Sequence, residues 1–356
     1  MKVFVDEECS LHRPPYEILS GKIVAYHETP DRLLQIRLAL EGDGVFQIED
    51  ADRSIDVQRH ALQVHSVDYI EYLESAFGLW VEEGGDPEGS LFPETFPNAK
   101  ITQRFATANL APRSLAGKTG YYCFDLSCPI TADTYTSVLA SARVSLSAAR
   151  ELSRSGESAF ALSRPPGHHA GTSVAGGYCF FNNVAIAAKY LQQESECSTC
   201  CGIAILDIDY HHGNGTQEIF YSDSSVTYVS LHAELDYPYF TGSREERGDG
   251  PGEGFNHNFP LPFGTEDGAY CGELRKGVKV IKEFDPAYLI VSLGVDTFES
   301  DPIGAFKLTT ACYAEIGCII RGLSKPTLFV LEGGYDLDTI GKNVRTLLEG
   351  FITGAV

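Results

Sequence analysis

The chain has 356 residues, 43% of them hydrophobic and 21% charged, with 49 acidic against 27 basic side chains and a formal net charge of −22. This composition is typical of a globular protein and excludes collagen, coiled coil and whole-chain disorder. The acidic balance argues against nucleic acid and anionic membrane surfaces as partners, because phosphates are bound by clustered Lys and Arg. It favours a cationic substrate or serves solubility alone.

The N-terminal residues 1–6 lack the apolar stretch of a signal peptide, and no apolar run is long enough to span a membrane. We therefore expect a soluble cytoplasmic protein with reduced thiols. Cys197, Cys200 and Cys201 lie in a polar stretch with no second cysteine pair at zinc-finger spacing. This pattern favours a surface loop over a metal or redox site.

The N-terminal part of the chain predicts one strand and two helices. The strand is expected over residues 2–6, and the first helix over residues 30–40, with Thr29 as its N-cap. A second helix is expected after Ser66, where apolar residues recur at helical spacing. Those residues are Tyr69, Leu73, Phe77 and Trp80. Such a stripe most often belongs to the core.

The segment 84–120 is rich in Gly and Pro and has no clear period, which predicts a long functional or disordered loop. Residues 131–153 predict a helix. Beyond it, short apolar runs alternate with segments that are long enough for helices. The runs are Ala159–Leu162, Ile203–Ile208, Val226–Leu231, Tyr288–Leu293 and Thr327–Leu331. This alternation predicts a single α/β domain over residues 1–356, with a parallel sheet covered on both faces.

The residues that end these runs are rich in imidazole and carboxylate groups. They are Arg164, His168 and His169, then Asp207, Asp209, His211 and His212, then His232, then Asp296 and Asp301, and finally Glu332 and Tyr335. Ligands of open parallel sheets bind beyond the carboxyl ends of the strands. Histidines scattered over a surface would not gather there, so we expect one site built from several loops.

Two carboxylates and one imidazole in this group suggest a metal site. Asp209 and His211 are alternate residues of an extended segment and so project to the same side, and Asp296 arrives from another strand end. Such a set leaves a divalent metal with open positions, as in catalytic sites, whereas structural zinc sites favour Cys. The alternative is that Asp207 and Asp209 cap a strand end and that His211 is a hydrogen-bonded loop residue.

The other polar residues indicate hydrolysis. His168 and His169 follow a Pro-Pro-Gly stretch that fixes the backbone, which suits a general base, and Asp207 and Asn214 are candidates to orient the two rings. Tyr335 follows two glycines, and a phenol beside a metal stabilises a developing oxyanion. The alternatives are core or surface histidines and a tyrosine packed on a rim. Together the parts fit metal-assisted hydrolysis of an amide or ester.

Four motifs resemble the histone deacetylase family. They are RPPGHHA at 164–170, DIDYHHGNGT at 207–216, GVDTF at 294–298 and EGGY at 332–335. GYYC at 120–123 and YPYF at 237–240 are most similar to the acetylpolyamine amidohydrolases of that family. The resemblance implies an arginase–deacetylase α/β fold with a central, mostly parallel sheet flanked by helices. It also implies a zinc-dependent deacetylase.

The resemblance further implies a role for each site residue. Zinc would be held by Asp209, His211 and Asp296. His169 would act as general base and acid, His168 as its electrostatic partner, and Tyr335 as the oxyanion donor. The Gly177 carbonyl would accept the substrate amide N–H, and Tyr178 and Tyr237 would flank its methylene chain. A structural K⁺ or Na⁺ would lie at Asp207, Asp209, His211, Ser230 and Leu231. A site rich in carboxylates also suits Fe²⁺ or Co²⁺.

Small acetylated cationic amines are the expected substrates, with acetyl-lysine proteins and other acylated amines or esters as alternatives. In the polyamine-type relatives a long loop narrows the entrance and supports a homodimer, and the segment 84–120 occupies that place here. Those relatives carry an acidic residue where this chain has Ser127. Asp125 and Asp133 are the nearby acids expected to replace it.

Overall fold

Parallel strands form the central sheet of the computed structural model, which describes residues 1–42, 44–98, 112–194 and 202–355. In chain order the strands are β1 (Lys2–Val5), β2 (Tyr16–Leu19), β3 (Lys22–Ala25), β4 (Gln47–Asp50), β5 (Ala159–Ala161), β6 (Ile203–Asp207), β7 (Val226–Ala233), β8 (Asn256–Leu261), β9 (Tyr288–Leu293) and β10 (Thr327–Leu331). Within the described ranges, eight of them pair in the order β4-β1-β5-β10-β9-β6-β7-β8, while β2 and β3 form an antiparallel hairpin. The predicted parallel α/β architecture is confirmed.

Helices flank this sheet. They are α1 (Asp31–Leu40), α2 (Val57–Ala61), α3 (Val67–Glu82), α4 (Leu115–Tyr121), α5 (Thr134–Ser155), α6 (Asn183–Glu194), α7 (Asn214–Phe220), α8 (Asp267–Phe284), α9 (Thr310–Arg321) and α10 (Ile340–Thr353). Several end where a residue adopts a left-handed conformation, as α5 does at Gly156 with φ 71°. A β-carbon is unfavourable there, so glycine is a natural stop.

The central strands are buried on both faces, which explains their continuous apolar runs. Every residue of β6, β7 and β10 is buried, whereas β4 at the edge is mostly exposed. Such burial is typical of parallel sheets covered by helices. The register pairs Asp207 with Ser230 of β7 and with Ser292 of β9. The chain segments that follow these three strands therefore emerge together at one edge of the sheet.

Several predicted boundaries are corrected by the structure. Helix α1 begins at Asp31 with Pro30 as its N-cap, and Thr29 contributes only a backbone carbonyl that accepts the N–H of Arg32. The helix predicted over 131–153 occupies Thr134–Ser155. The segment 84–120, predicted as a loop, contains the start of α4, which Ser114 caps by accepting the N–H of Gly117.

Other predictions are confirmed, or concern residues outside the described ranges. Ser66 is the N-cap of α3 as predicted, and the two first residues of the apolar stripe, Tyr69 and Leu73, are buried. The strands at 288–293 and 327–331 match the predicted runs. The cysteine group at 197–201 and residues 99–111 of the predicted long loop lie outside the described residues.

Candidate metal and catalytic site

A cavity of about 230 Å³ opens at the carboxyl edge of the sheet. Its buried residues, called here the cavity floor, are His169, Gly177, Tyr178, His211 and Tyr335. Its exposed or partly buried residues, called the cavity rim, are Leu19, Ser20, Ser127, Asp236, Tyr239, Pro302 and Ile303. The partly buried Tyr237 forms the wall between them. The cavity therefore combines residues from several strand ends with residues from separate loops.

Asp209, His211 and Asp296 converge at the floor. All three are buried, and their ligand atoms lie within 4.8 Å of one another. His211 Nδ1 is 3.0 Å from Asp296 Oδ2 and 3.3 Å from Asp209 Oδ1. The structure thus brings together the three residues that the sequence predicts as metal ligands.

Backbone groups fix the two carboxylates. Asp209 accepts the N–H of His211 at 2.9 Å and that of Gly333 at 2.8 Å, and Asp296 accepts the N–H of Tyr210 at 2.9 Å. The turn at Gly333 packs so closely that a β-carbon there would lie 2.3 Å from Asp296 Oδ2. Only glycine fits at Gly333, and Gly334 has φ 120°, which also favours glycine, so each residue of the pair before Tyr335 has its own cause.

The carboxylates of Asp209 and Asp296 give the floor a negative charge that favours a bound cation. Burial, followed by the negative charge of Asp209, raises the pKa of Asp296 to about 6. Among the described residues, neither carboxylate forms an ion pair with Lys or Arg. The positive ring of His168, 3.7 Å from Asp209, offsets part of this buried negative charge, and a divalent cation between the two carboxylates would offset the rest. Two carboxylates and one imidazole with this geometry therefore fit a divalent metal.

His169 is oriented by Asn214. Its Nδ1 lies 2.7 Å from Asn214 Oδ1, which can only accept, so Nδ1 carries the proton. The bare Nε2 is then the ring atom free to accept a proton, and the ring lines the cavity. Burial, reinforced by the positive charge of His168, holds the pKa of His169 well below its usual range. The ring is therefore neutral at neutral pH.

His168 has the opposite electrostatic setting. Its Nδ1 lies 3.1 Å from Asp207 Oδ2, and its Nε2 lies 3.7 Å from Asp209 Oδ1. Burial alone would lower the pKa of His168, but the charges of Asp209 and Asp207 outweigh it and raise the pKa to about 10. The two adjacent rings, 4.0 Å apart, thus differ in charge. Asp207 and Asn214, the predicted orienting partners, each lie within hydrogen-bond distance of one of the two rings.

Tyr335 lies on the floor, where neighbouring residues contact both its backbone and its ring. Its N–H donates to Asp301 Oδ2 at 2.7 Å, and the Arg32 guanidinium lies 4.8 Å from its ring centroid. Burial raises the pKa of Tyr335 well above its usual range, so the phenol keeps its proton. Burial and the charge of Asp296 raise the pKa of Asp301 to about 7. Tyr335 is thus a protonated donor that faces the cavity.

One carboxylate behind the wall connects the residues predicted to bind substrate. Asp125 Oδ2 accepts the N–H of Gly177 at 2.9 Å and the hydroxyl of Tyr237 at 2.6 Å. Tyr178, on the floor, donates its hydroxyl to Glu17 Oε1 at 3.1 Å. Gly177 has φ 52°, and a β-carbon there would lie 2.3 Å from the His169 ring. The three predicted substrate contacts therefore line one cavity in fixed positions.

The residues predicted to hold a monovalent cation are also neighbours. Asp207 and Ser230 are paired across β6 and β7, next to Leu231. Asp207 Oδ2 accepts the hydroxyl of Tyr228 at 2.9 Å, and the Ser230 hydroxyl lies 2.8 Å from Nδ1 of His232. Asp209 and His211 complete this group on the segment after β6. The site of K⁺ or Na⁺ stays a prediction.

The structure corrects the prediction that Asp125 or Asp133 replaces the acid that is absent at Ser127. Ser127 does line the rim, but Asp125 points to Gly177 and Tyr237 and does not line the cavity. Asp133 is exposed at the N-terminus of α5 and does not line it either. The rim carboxylate belongs to Asp236, which the sequence analysis did not single out. Its position directly before the Tyr-Pro-Tyr-Phe motif was the available signal.

Comparison with known proteins identifies the family. The histone deacetylase domain matches residues 26–351. Acetylpolyamine amidohydrolase 1 of Pseudomonas aeruginosa is 39% identical over 99% of this chain and 98% of its own length. The acetylpolyamine amidohydrolase of Mycoplana ramosa is 37% identical over 98% of this chain and 99% of its own.

The solved structures agree with the sequence relatives. A crystal structure of the acetylpolyamine aminohydrolase of Burkholderia pseudomallei superposes with a TM-score of 0.90 and 32% identity, covering 99% of both chains. Within the described ranges, no helix has both the length and the apolar character needed to cross a membrane. On the domain match and on relatives similar over almost their full length, the chain belongs to the histone deacetylase family.

Proposed function

We propose that this deacetylase hydrolyses the acetyl amide of small cationic amines with the help of a divalent metal, and that the metal is Zn²⁺. The observation that supports this most is the convergence of Asp209, His211 and Asp296 beside His169 and Tyr335 in one cavity. Metal ligands, a neutral imidazole and a protonated phenol are the parts that amide hydrolysis needs.

Asp209, His211 and Asp296 would hold the metal. When bound, it polarises the amide carbonyl and lowers the pKa of a water molecule. His169 takes the proton of the attacking water at Nε2, because Asn214 keeps the proton of the ring on Nδ1. The same nitrogen then delivers a proton to the leaving amine.

His168 and Tyr335 stabilise charge in this scheme. His168, held positive by Asp207 and Asp209, lies against the His169 ring and keeps His169 from being protonated before the substrate binds. Tyr335 donates its hydroxyl to the carbonyl oxygen as negative charge develops there. The carbonyl of Gly177 accepts the amide N–H, and Tyr178 and Tyr237 enclose the methylene chain.

The size of the cavity and the relatives support a small amine as substrate. About 230 Å³ is below the range of roughly 300–1,000 Å³ for sites that hold drug-sized ligands. The relatives that match over nearly full length are named for acetylpolyamines. The net charge of −22 also favours a cation.

A substrate panel tests the proposal. Zinc-loaded enzyme is assayed for kcat/KM on N-acetylputrescine, N-acetylcadaverine, acetylspermidines and an acetyl-lysine peptide. We expect the small amines to be preferred by about 10-fold or more, the size of one lost favourable contact. Preference for the peptide would instead support a protein deacetylase. No turnover of any acetylated amine would contradict the proposed reaction.

Two further assignments belong to the proposal. A K⁺ or Na⁺ at Asp207, Ser230 and Leu231 would hold the segment after β6 against β7, and activity measured across KCl, NaCl and choline chloride tests it.

A homodimer that uses the segment 84–120 is supported by the resemblance and tested by sedimentation. In the described part of that segment, Leu91 pairs with Ile130.

A further inference from the structure

The cavity rim carries one carboxylate among the residues that the structure describes. It belongs to Asp236, and neither Lys nor Arg lines the cavity in that part of the chain. The remaining rim residues are uncharged: Leu19, Ser20, Ser127, Tyr239, Pro302 and Ile303. One acidic group in a cavity with walls of low dielectric constant concentrates negative potential there.

Asp236 is held in place without being neutralised. Its Oδ2 accepts the hydroxyl of Tyr210 at 2.5 Å, and its Oδ1 accepts the N–H of Tyr237 at 2.8 Å. Both donors are uncharged. Across the described ranges no Lys or Arg forms an ion pair with Asp236. The side chain is therefore fixed in direction, and no basic side chain of the described residues competes with a ligand for it.

Two other acids lie behind the cavity wall and are already engaged. Asp125 accepts hydrogen bonds from Gly177, Ser127 and Tyr237, and a long one from the Cys123 thiol. Glu17 is fully buried behind Tyr178 and accepts the hydroxyl of that residue and a backbone N–H. Its Oε2 has no hydrogen-bond partner, which makes Glu17 the strongest competitor for a cation. Neither acid lines the cavity.

We propose that Asp236 binds the free ammonium group of the substrate and so selects cationic over neutral acetylated amines. The inference rests on the proposed function and names the residue that sets its substrate class. Asp236 directly precedes Tyr237, whose ring packs edge-on against His169 with centroids 5.0 Å apart. The rings of Tyr237 and Tyr239 offer additional attraction to a cation.

The test compares two substrates of equal length. N-acetylputrescine ends in an ammonium group, and N-pentylacetamide ends in a methyl group at the same position. Asp236→Asn removes the charge but can keep both contacts, because its oxygen can accept the Tyr237 N–H while the Tyr210 hydroxyl rotates to accept from its amide group. We expect kcat/KM to fall about 10- to 100-fold for N-acetylputrescine, the worth of one charge-assisted hydrogen bond, and less than about 3-fold for N-pentylacetamide.

Three variants serve as controls. Glu234→Gln removes an equal charge from the same loop at an exposed residue outside this cavity, and we expect both substrates to be unaffected. Asp236→Glu retains the charge and should retain the discrimination even if the loop shifts. Glu17→Gln should leave the ratio of the two kcat/KM values unchanged. Loss of discrimination in Glu17→Gln but not in Asp236→Asn would overturn the proposal.

Other outcomes are equally decisive. An equal fall for both substrates in Asp236→Asn would assign Asp236 a merely structural role, and no fall for N-acetylputrescine would also refute the inference. If the wild type turns over neither substrate, the proposed function fails by itself. The binding of putrescine, measured by calorimetry on the zinc-loaded enzyme, then decides separately: it should be about 10-fold weaker or more in Asp236→Asn.

Discussion

The floor and the rim of the cavity are built in different ways. On the floor, His169, His211 and Tyr335 are buried and follow strands, and each is held by a hydrogen bond to a carboxylate or an amide. On the rim, Ser20 and Tyr239 are exposed residues of separate loops, with φ of 51° and 69°. These three floor residues are positioned by the strands that they follow, whereas the rim, like Gly177 and Tyr178 of the floor, depends on the local conformation of its loops.

This difference separates reaction from specificity. Groups that must lie within about 0.5 Å of a productive geometry need rigid support, and parallel strands provide it. Groups that only attract one end of a substrate tolerate more freedom. Substitutions on the floor should therefore abolish the reaction for every substrate, and substitutions on the rim should change the ranking of substrates.

The largest effect is expected for Asp209→Ala. The variant removes one of the three proposed ligands, so the metal content should fall to near zero and kcat/KM should fall by more than about 10³-fold, because several kcal/mol of transition-state stabilisation are lost. Metal content is measured by mass spectrometry on dialysed protein. Asp249→Ala, at an exposed acid, is the control. Full metal content in Asp209→Ala would refute the ligand assignment.

Tyr335→Phe should lower kcat by about 10²- to 10³-fold, the usual cost of removing one oxyanion donor. Because the hydroxyl acts only as charge develops, KM and the metal content should stay within a factor of about 3 of the wild type. Steady-state kinetics and metal analysis measure the three quantities. Loss of metal in this variant would show that the phenol supports the metal site rather than the oxyanion.

Asp125→Asn tests how the wall is held. The Asp125 carboxylate accepts from Gly177, Ser127 and Tyr237, besides a long contact from the Cys123 thiol. Asn has a single acceptor oxygen, so at least one of the first three loses its acceptor. We expect kcat/KM to fall about 10-fold for cationic and neutral substrates alike. Asp133→Asn removes an exposed acid, and exposed charges contribute little. We therefore expect kcat/KM to change less than about 2-fold in that variant. A fall confined to the cationic substrate would make Asp125 part of ammonium recognition.

The sequence predicted the floor far better than the rim. His211 and Tyr335 lie within four positions of an apolar run, so the strand pattern alone locates them, whereas Gly177 and Tyr178 were assigned through the family resemblance; β9 and β10 were bounded correctly. The strand β8, with the polar sequence NHNFPL, has no such run and was missed. The bonds of Asp125 join residues 52 and 112 positions apart, and only tertiary structure brings them together. Asp236 directly precedes the Tyr-Pro-Tyr-Phe motif, but only the folded chain shows that it lines the cavity.

Acidification should lower the free energy of unfolding in part through the buried His65. This ring accepts the N–H of Asn182 at Nε2 and donates from Nδ1 to the carbonyl of Gly171, so it must be neutral, and burial lowers the pKa of His65 to about 4. The unfolded chain binds a proton below about 6.5, so stability falls as the pH drops from 6.5 to about 4, by about 1.4 kcal/mol per unit for this one group.

Urea unfolding at several pH values measures this contribution. In His65→Gln the dependence of the unfolding free energy on pH between 4 and 6.5 should become shallower by about one proton. His60→Gln, at a histidine that is only partly buried, should change the slope less. An unchanged slope in His65→Gln would show that the acid sensitivity arises elsewhere.

The smallest effect is expected for Ser127→Glu, which adds a second carboxylate to the rim. Because exposed ion pairs contribute only about 0.2–1 kcal/mol, the ratio of kcat/KM for N-acetylputrescine over N-pentylacetamide should rise by no more than about 5-fold. The free energy of unfolding should stay within about 0.5 kcal/mol, as is usual for surface substitutions. Competition between the two substrates in one reaction measures the ratio directly. A loss of more than about 100-fold on both substrates would mean that the rim is as tightly constrained as the floor, and the separation of specificity from reaction would not hold.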